Sequence, residues 1–224
     1  MTTVAHRQRR HQSADTEATI LEIARDLLAE GGLERLSMRA VAQRAGVSAT
    51  AIYHYFANKQ ELVERIVDLG FHRFDEHLQK SIASHPVGSM ERLTALGEAY
   101  IQFALDNRQY FQVIFNIETS NPKAIEDLPG HGGYNLLNDC VRDAMASGSI
   151  KPGNPDLIAL YLWTLVHGVV TLTLACQLHD NIPTGSKGAQ GTPAELLRQF
   201  TPFIRQGLEA GATPVAVPAT NHES

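Results

Sequence analysis

The sequence predicts an all-α fold: an N-terminal three-helix unit with a helix-turn-helix inside it, followed by a larger helical C-terminal part. Three observations predict this. Apolar residues recur three and four apart through nearly every segment. No run alternates with period two for long enough to make a strand, and no segment repeats. Residues 36–62, LSMRAVAQRAGVSATAIYHYFANKQEL, read as two short helices around a tight turn, with a third helix directly after.

Composition sets the bounds. A chain of 224 residues suits one domain or two small ones. Its net charge of −5 argues against nucleic-acid binding through the whole surface, but not against a local site. Residues 1–60 carry +2 and the remainder −7, the asymmetry of a basic end on an acidic body. Residues 1–14 form a basic arm, with Arg7, Arg9 and Arg10 beside His6 and His11, and are expected to be disordered. Such an arm could also reach into a minor groove. No apolar stretch follows it, so it is not read as a secretory signal, and a cytoplasmic location is expected.

The first helix is expected from about Asp15 to Glu30, with Ile20, Leu21, Ala24, Leu27 and Leu28 as its buried stripe. Ser37 is a good N-cap for the next. Met38, Val41, Ala42 and Ala45 recur at helical spacing, and Ala42 is small where a crossing helix must come close. Gly46 stops that helix, since a left-handed backbone costs glycine little. Val47 can plug the corner, Ser48 caps the following helix, and Ile52 and Phe56 share one face. Asn58, with Glu61 three residues on, reads as a capping arrangement for a long helix.

The exposed face carries the chemistry. Arg35, Arg39, Arg44 and Lys59 give residues 35–59 a charge of +4 with no Asp or Glu, the bias phosphate binding needs. Tyr53, His54 and Tyr55 interleave rings and hydrogen-bonding tips with those cations, although the Tyr55 ring could equally serve the core. The short side chains of Ala49, Thr50 and Ala51 would let that helix approach base edges closely.

Gly46-Val47-Ser48, Ile52 to Phe56 and Asn58 to Leu62, with the preceding Gly31-Gly32 and the link Leu33 to Ser37, resemble the DNA-binding domain of the TetR family of transcriptional regulators. The resemblance covers residues 15–65. It implies a helix-turn-helix DNA-binding domain over 15–60, and a helical ligand-binding and dimerisation domain over 61–210. It implies backbone or base contacts for Ser37, Arg39, Ser48, Thr50 and Ala51, and phosphate contacts for Tyr53, His54, Tyr55 and Lys59. Ala49 and Ala51 depart from the longer polar residues common in the family, which leaves fewer direct base bonds.

After Lys59 a helix is expected towards His85, with Leu62, Val63, Ile66, Val67, Phe71, Phe74 and Leu78 apolar, ended by His85-Pro86-Val87-Gly88-Ser89. Ser89 opens a helix through about Asp106. Arg108 to Phe115 is a short aromatic segment, and Gly132 to about Ser147 is a further helix. Leu157 to Leu178 is a run of 22 residues without Asp, Glu, Lys or Arg, long enough to cross a bilayer. A membrane-associated helical protein is therefore the alternative reading. Against it stand His167 at mid-run and the lack of a flanking basic cluster. Thr192-Pro193-Ala194-Glu195 starts a final helix, which Pro202 should kink, and residues 211–224 read as a disordered tail.

Trp163-Thr164-Leu165-Val166-His167-Gly168 resembles a Trp-x-x-x-His-Gly signature of one subgroup of TetR-like C-terminal domains. The family resemblance further implies that the last two helices pair with their copies in a homodimer. It implies a roughly palindromic double-stranded operator with half-sites ~34 Å apart, repression as the commoner outcome, and release by a small-molecule effector. Tyr100, Phe103, Phe111, Phe115, Trp163 and His167 are the candidate pocket for a small apolar or aromatic effector, although each ring could equally be ordinary core.

A hydrolase is the weaker alternative. Gly130-His131-Gly132-Gly133 faintly resembles an oxyanion loop, but no G-x-S-x-G elbow accompanies it. No enzyme activity, cofactor or metal is expected: no zincin, P-loop or dinucleotide motif occurs. Cys140 and Cys176 are too few and too far apart for a zinc site.

Overall fold

A computed structural model of the chain describes residues 2–116, 133–175 and 192–208, with side chains from 15 to 115 in the first span. Among these residues the structure is all helix and loop, with no strand. The helices are α1 Thr2–Arg35, α2 Met38–Ala45, α3 Ala49–Ile52, α4 Lys59–Ile82, α5 Met90–Asp106, α6 Arg108–Asn116, α7 Tyr134–Ala146, α8 Pro155–Leu174 and α9 Pro193–Leu208. The loop at Asn181–Gly191, Cys176, His179 and the tail 211–224 lie outside the described residues, as does most of the Gly130–Gly133 motif.

Two compact units form. One is Met1–Asp75 with Asn107–Gly132; the other is Glu76–Asp106 with Gly133–Ser224. The first therefore reaches past the boundary expected at residue 60. The reason is the apolar face of α4: Leu62 and Ile66 belong to the same buried core as Ile20, Ala24, Val41, Ile52 and Phe56, and Val113 of α6 joins them. α1 also differs from expectation, beginning at Thr2 rather than Asp15. Nothing from Arg7 to Glu17 is glycine or proline, so no residue there interrupts a helix. At its other end the helical backbone is interrupted at Gly31 and Gly32, where Gly32 takes φ 65° and ψ −161°. That conformation is almost confined to glycine and turns the chain towards α2.

In the first unit α1, α4 and α6 meet around Tyr110. Its ring is 1% exposed, and the guanidinium groups of Arg25 and Arg73 each lie 4.7 Å from its centroid. A cation over an aromatic face is attracted by the ring quadrupole, and two of them fasten α6 to both neighbours. Gly70 permits the close approach: a Cβ there would stand 2.5 Å from Ile114 Cγ2.

The second unit is α5, α7, α8, α9 and the last turns of α4. Arg92 of α5 donates to the carbonyls of Ile82 (2.7 Å) and His85 (2.9 Å), satisfying acceptors that the end of α4 leaves open. Asn138 of α7 is buried and donates to Asp156 at the start of α8, while Arg142 donates to the Asn138 oxygen at 2.6 Å. Asn154 caps α8 and Pro155 opens it. Thr192 and Glu195 form a reciprocal capping box for α9: Thr192 N–H donates to the carboxylate (2.6 Å) and Glu195 N–H to the hydroxyl (3.2 Å). α9 then continues through Pro202 to Leu208. Gly97 permits a close helix approach: an added Cβ would meet Leu197 at 3.2 Å and Val166 at 3.4 Å, whereas at Gly168 nothing of this chain lies within 4 Å.

Gly70→Ala should destabilise the protein. Alanine gains about 1 kcal/mol in helix propensity, but forcing the methyl of Ile114 aside costs about 1–3 kcal/mol. The net loss, up to about 2 kcal/mol, should appear as a lower Tm in thermal melts followed by circular dichroism.

Candidate nucleic-acid interface and the aromatic cluster of the second unit

The turn between α2 and α3 is set by three local devices. Ser37 Oγ accepts from the Ala40 N–H and Ser48 Oγ from the Ala51 N–H, each at 3.1 Å. Gly46 sits at φ 69° and ψ 25°, and its N–H reaches back to Ala42 and Gln43. Val47 N–H donates to Ala42 at 3.0 Å, closing the corner. α3 has four residues, and the turn at Tyr53–Tyr55 continues it to Phe56. Ile52 is fully buried and Phe56 nearly so, which anchors both ends of this stretch. Asn58 then caps α4, accepting from Glu61 N–H at 2.9 Å, and Glu61 accepts from the N–H of Ala57, one residue before the cap.

That anchoring sorts the predicted site residues. Arg39, Thr50, Tyr53 and His54 are exposed, Tyr53 at 54%. Ala51 is half-buried beside them. Tyr55 is half-buried and packs on the first unit's core, the second of its two sequence readings. Ser37 and Ser48 are exposed, with their oxygens occupied as caps while their hydroxyl protons remain available to donate.

The cations divide as well. Arg44 pairs with Glu30 at 2.8 Å, and Arg35 lies 3.6 Å from the same carboxylate. The Arg44 hydrogen bond, with the charges of Arg44 and Arg35, holds Glu30 below its ordinary carboxylate value. Lys59 donates to the carbonyl of Leu33, tying the start of α4 to the link after α1. Arg39 has no ion-pair partner among the described residues and faces solvent. The sequence could not show this sorting, because Glu30 lies outside the motif and reaches it only through the fold.

The six pocket candidates separate. Phe111 and Phe115 cluster with Phe71 and Phe74 in the first unit, Phe115 lying 4.7–5.9 Å from the other three ring centroids. Phe103 lies beside His77. Tyr100, Trp163 and His167 come together in the second unit, where Tyr100 Oη is 2.8 Å from His167 Nδ1. Sequence reasoning missed Tyr134, whose ring stands edge-on to Trp163 at 6.2 Å and whose hydroxyl donates to the Asp156 carbonyl. Nothing in the local pattern at the start of α7 marks it. Burial raises the Tyr100 pKa and lowers that of His167, so both groups are neutral near pH 7. Burial likewise pushes the Cys140 thiol up, away from the reactive thiolate. Among the described residues no three His, Cys, Asp or Glu side chains converge as metal ligands would.

Comparison with known proteins matches both ends of this architecture. The family model described as "Bacterial regulatory proteins, tetR family" matches residues 20–66, and "Tetracyclin repressor-like, C-terminal domain" matches 93–187. The chain belongs to the TetR family of transcriptional regulators. It is a ligand-responsive DNA-binding regulator. It is 28% identical to the HTH-type transcriptional repressor KstR2 of Mycolicibacterium smegmatis, over 67% of this chain and 76% of that one. It is 32% identical to the regulator TtgR of Pseudomonas putida, over 46% of this chain and about half of that protein (49%). Among solved structures, a protein of unknown function from Rhodococcus sp. RHA1 superposes with a TM-score of 0.71 at 27% identity, covering 87% of this chain and 95% of that one.

For this TetR-family chain the two matched segments fall on different chemistry. The first contains the exposed Arg39, Thr50, Tyr53 and His54, and the second contains Tyr100, Tyr134, Trp163 and His167. α8, which is long and apolar enough to cross a membrane, also lies within the second.

Tyr53→Ala should leave the Tm within experimental error, because its ring lies mostly in solvent. Tyr55→Ala should cost about 1–2 kcal/mol, less than the about 3–5 of a fully buried ring. Urea titrations of the two variants check this. His167 supplies a pH dependence. Its folded pKa lies below the ordinary 6.5, so its contribution is complete above pH 6.5 and is lost as pH falls and the unfolded chain takes the proton first. Between about pH 7 and 5 the wild type should lose more Tm than His167→Gln, whose uncharged amide can still hydrogen-bond Tyr100.

Proposed function

We propose that this protein is a repressor that binds a palindromic operator as a homodimer in the cytoplasm and is released by a small-molecule effector held in the second unit. The observation that carries the DNA reading is the exposed set Arg39, Thr50, Tyr53 and His54 on a motif whose other cations are engaged internally. Thr50 reads base edges, and Ala51 lets the backbone come close. Arg39 contacts a base or a phosphate. Tyr53 and His54 hydrogen-bond phosphates. Ser37 and Ser48 add hydroxyl donors near the backbone. Tyr55 and Lys59 touch the phosphate edge while holding the motif to its core.

A second copy of the chain is favoured as the cover for α8. Leu157, Leu160, Tyr161 and Leu172 are each at least 40% exposed on that helix, and Phe203 of α9 is 63% exposed. Gly168 lies on the same stripe, four residues from Thr164 and from Leu172, with open space over its Cβ. Pairing α8 and α9 with their copies removes this surface from water and places two reading motifs for two half-sites. The Trp163-x-x-x-His167-Gly168 run supports reading the second unit as one of the subgroup carrying that signature.

Fluorescence anisotropy with DNA from the gene's own upstream region, against unrelated duplex at several salt concentrations, tests this. Wild type should prefer the upstream DNA. Tyr53→Ala should weaken binding by ~10-fold or more, about 1.4 kcal/mol, with the salt slope unchanged, since tyrosine is neutral. Arg39→Ala should lower the slope by about one per half-site if it meets phosphate, or cost about 1–3 kcal/mol with relaxed base preference if it reads a base. Leu172→Arg should sediment as a monomer and lose operator binding. A wild type without sequence preference on genome-wide selected DNA would reject the reading.

A further inference from the structure

Trp163 is the chain's one tryptophan. Its indole N–H is buried in the second unit and makes no hydrogen bond. An indole can only donate, so nothing but an acceptor satisfies it. The Tyr100 hydroxyl lies near the indole, yet no hydrogen bond of ordinary geometry forms between them. The hydroxyl of Tyr100 is instead engaged with His167 Nδ1 at 2.8 Å. The rings of Tyr134 and His167 stand 6.2 and 5.6 Å from the indole. The immediate surroundings are therefore aromatic, with polar tips that carry no charge, and α8 itself bears no Lys, Arg, Asp or Glu beyond Asp156. A carboxylate brought here would lose its hydration, and Arg142, which shares Asp156 with Tyr134, is already paired. A plain hydrocarbon would leave the indole donor unpaired.

We propose that the effector presents an uncharged carbonyl oxygen, on an otherwise apolar body, to the indole N–H of Trp163. This rests on the reading that the second unit holds a small-molecule effector. Tyr134 and His167 supply ring edges to the apolar part, and the Tyr100–His167 bond holds the histidine ring in place beside the indole. Recognition by a buried donor rejects analogues that lack the acceptor far more strongly than an apolar wall rejects a change of shape.

The test uses full-length protein and three matched probe series of about six to twelve carbons: methyl ketones, 2-methyl-1-alkenes in which a methylene replaces the oxygen, and carboxylates of equal length. Affinity is read by thermal shift, and release of the upstream DNA by anisotropy. The indole 15N–1H resonance, single in this chain, reports the donor itself. The tightest ketone should bind ~10-fold or more tighter than its alkene and tighter than its carboxylate, and should move the indole resonance to lower field. Trp163→Phe should bring ketone and alkene affinities together. Equal binding of ketone and alkene to wild type, tightest binding by the carboxylate, or a ketone preference that survives in Trp163→Phe would overturn the proposal while the effector reading stands. Should Trp163→Phe fail to fold, the wild-type resonance decides: an indole unmoved by a bound ketone rejects it. Failure of every probe to bind or to release DNA would overturn both the proposal and the effector reading.

Discussion

A helix of four residues cannot hold itself together in water, because nucleation fixes several residues for a single hydrogen bond. α3 is such a helix, and the exposed face of the helix-turn-helix depends on it. Its stability comes from burial of Ile52 and Phe56 in a core shared with α1, α2 and α4, helped by the Ser48 cap. With those two side chains pinned, the residues between and before them have no choice of direction. Thr50, Tyr53 and His54 are turned to solvent, while Tyr55 is drawn half into the core.

Electrostatics then refines what packing exposes. A cationic segment left unpaired would attract phosphate wherever its side chains happened to reach. Here Glu30 of α1 takes up Arg44 and draws Arg35, and the Leu33 carbonyl takes Lys59. The same contacts tie α1 to α2 and α4, and Glu30 offsets one of the two arginine charges. Among the cations of residues 35–59, Arg39 is left without an ion-pair partner among the described residues, and like Tyr53 and His54 it is exposed.

The second unit works in the opposite electrostatic regime. Its polar groups around Trp163 are neutral, because burial makes charge costly on both Tyr100 and His167. The exposed face of the first unit's motif is cationic, while the aromatic cluster of the second is uncharged. Chain continuity links them: α4 enters both, and α6 belongs to the first unit while the helices before and after it, α5 and α7, belong to the second. The Arg25–Tyr110–Arg73 stack fastens α6 to α1 and α4 within the first unit.

The sequence by itself determined the helical class, most helix limits outside α1, and the caps at Ser37, Ser48, Asn58 and Thr192. These are local events, decided by residues within one turn of each other, so pattern and side-chain chemistry suffice. The motif was equally legible, because glycine at position 46 and the spacing of Ile52 and Phe56 are local requirements. Tertiary structure alone decided which members of the site were free to act. Glu30 lies 14 residues from Arg44, Leu33 lies 26 from Lys59, and Tyr100 lies 67 from His167. It also decided that Phe111 and Phe115 sit with Phe71 and Phe74 while Trp163 sits with Tyr134, since aromatic spacing along a chain says nothing about which helices meet. The extent of the first unit to Asp75 had the same origin: the apolar face of α4 is continuous in sequence, and only packing shows which part of it closes which core.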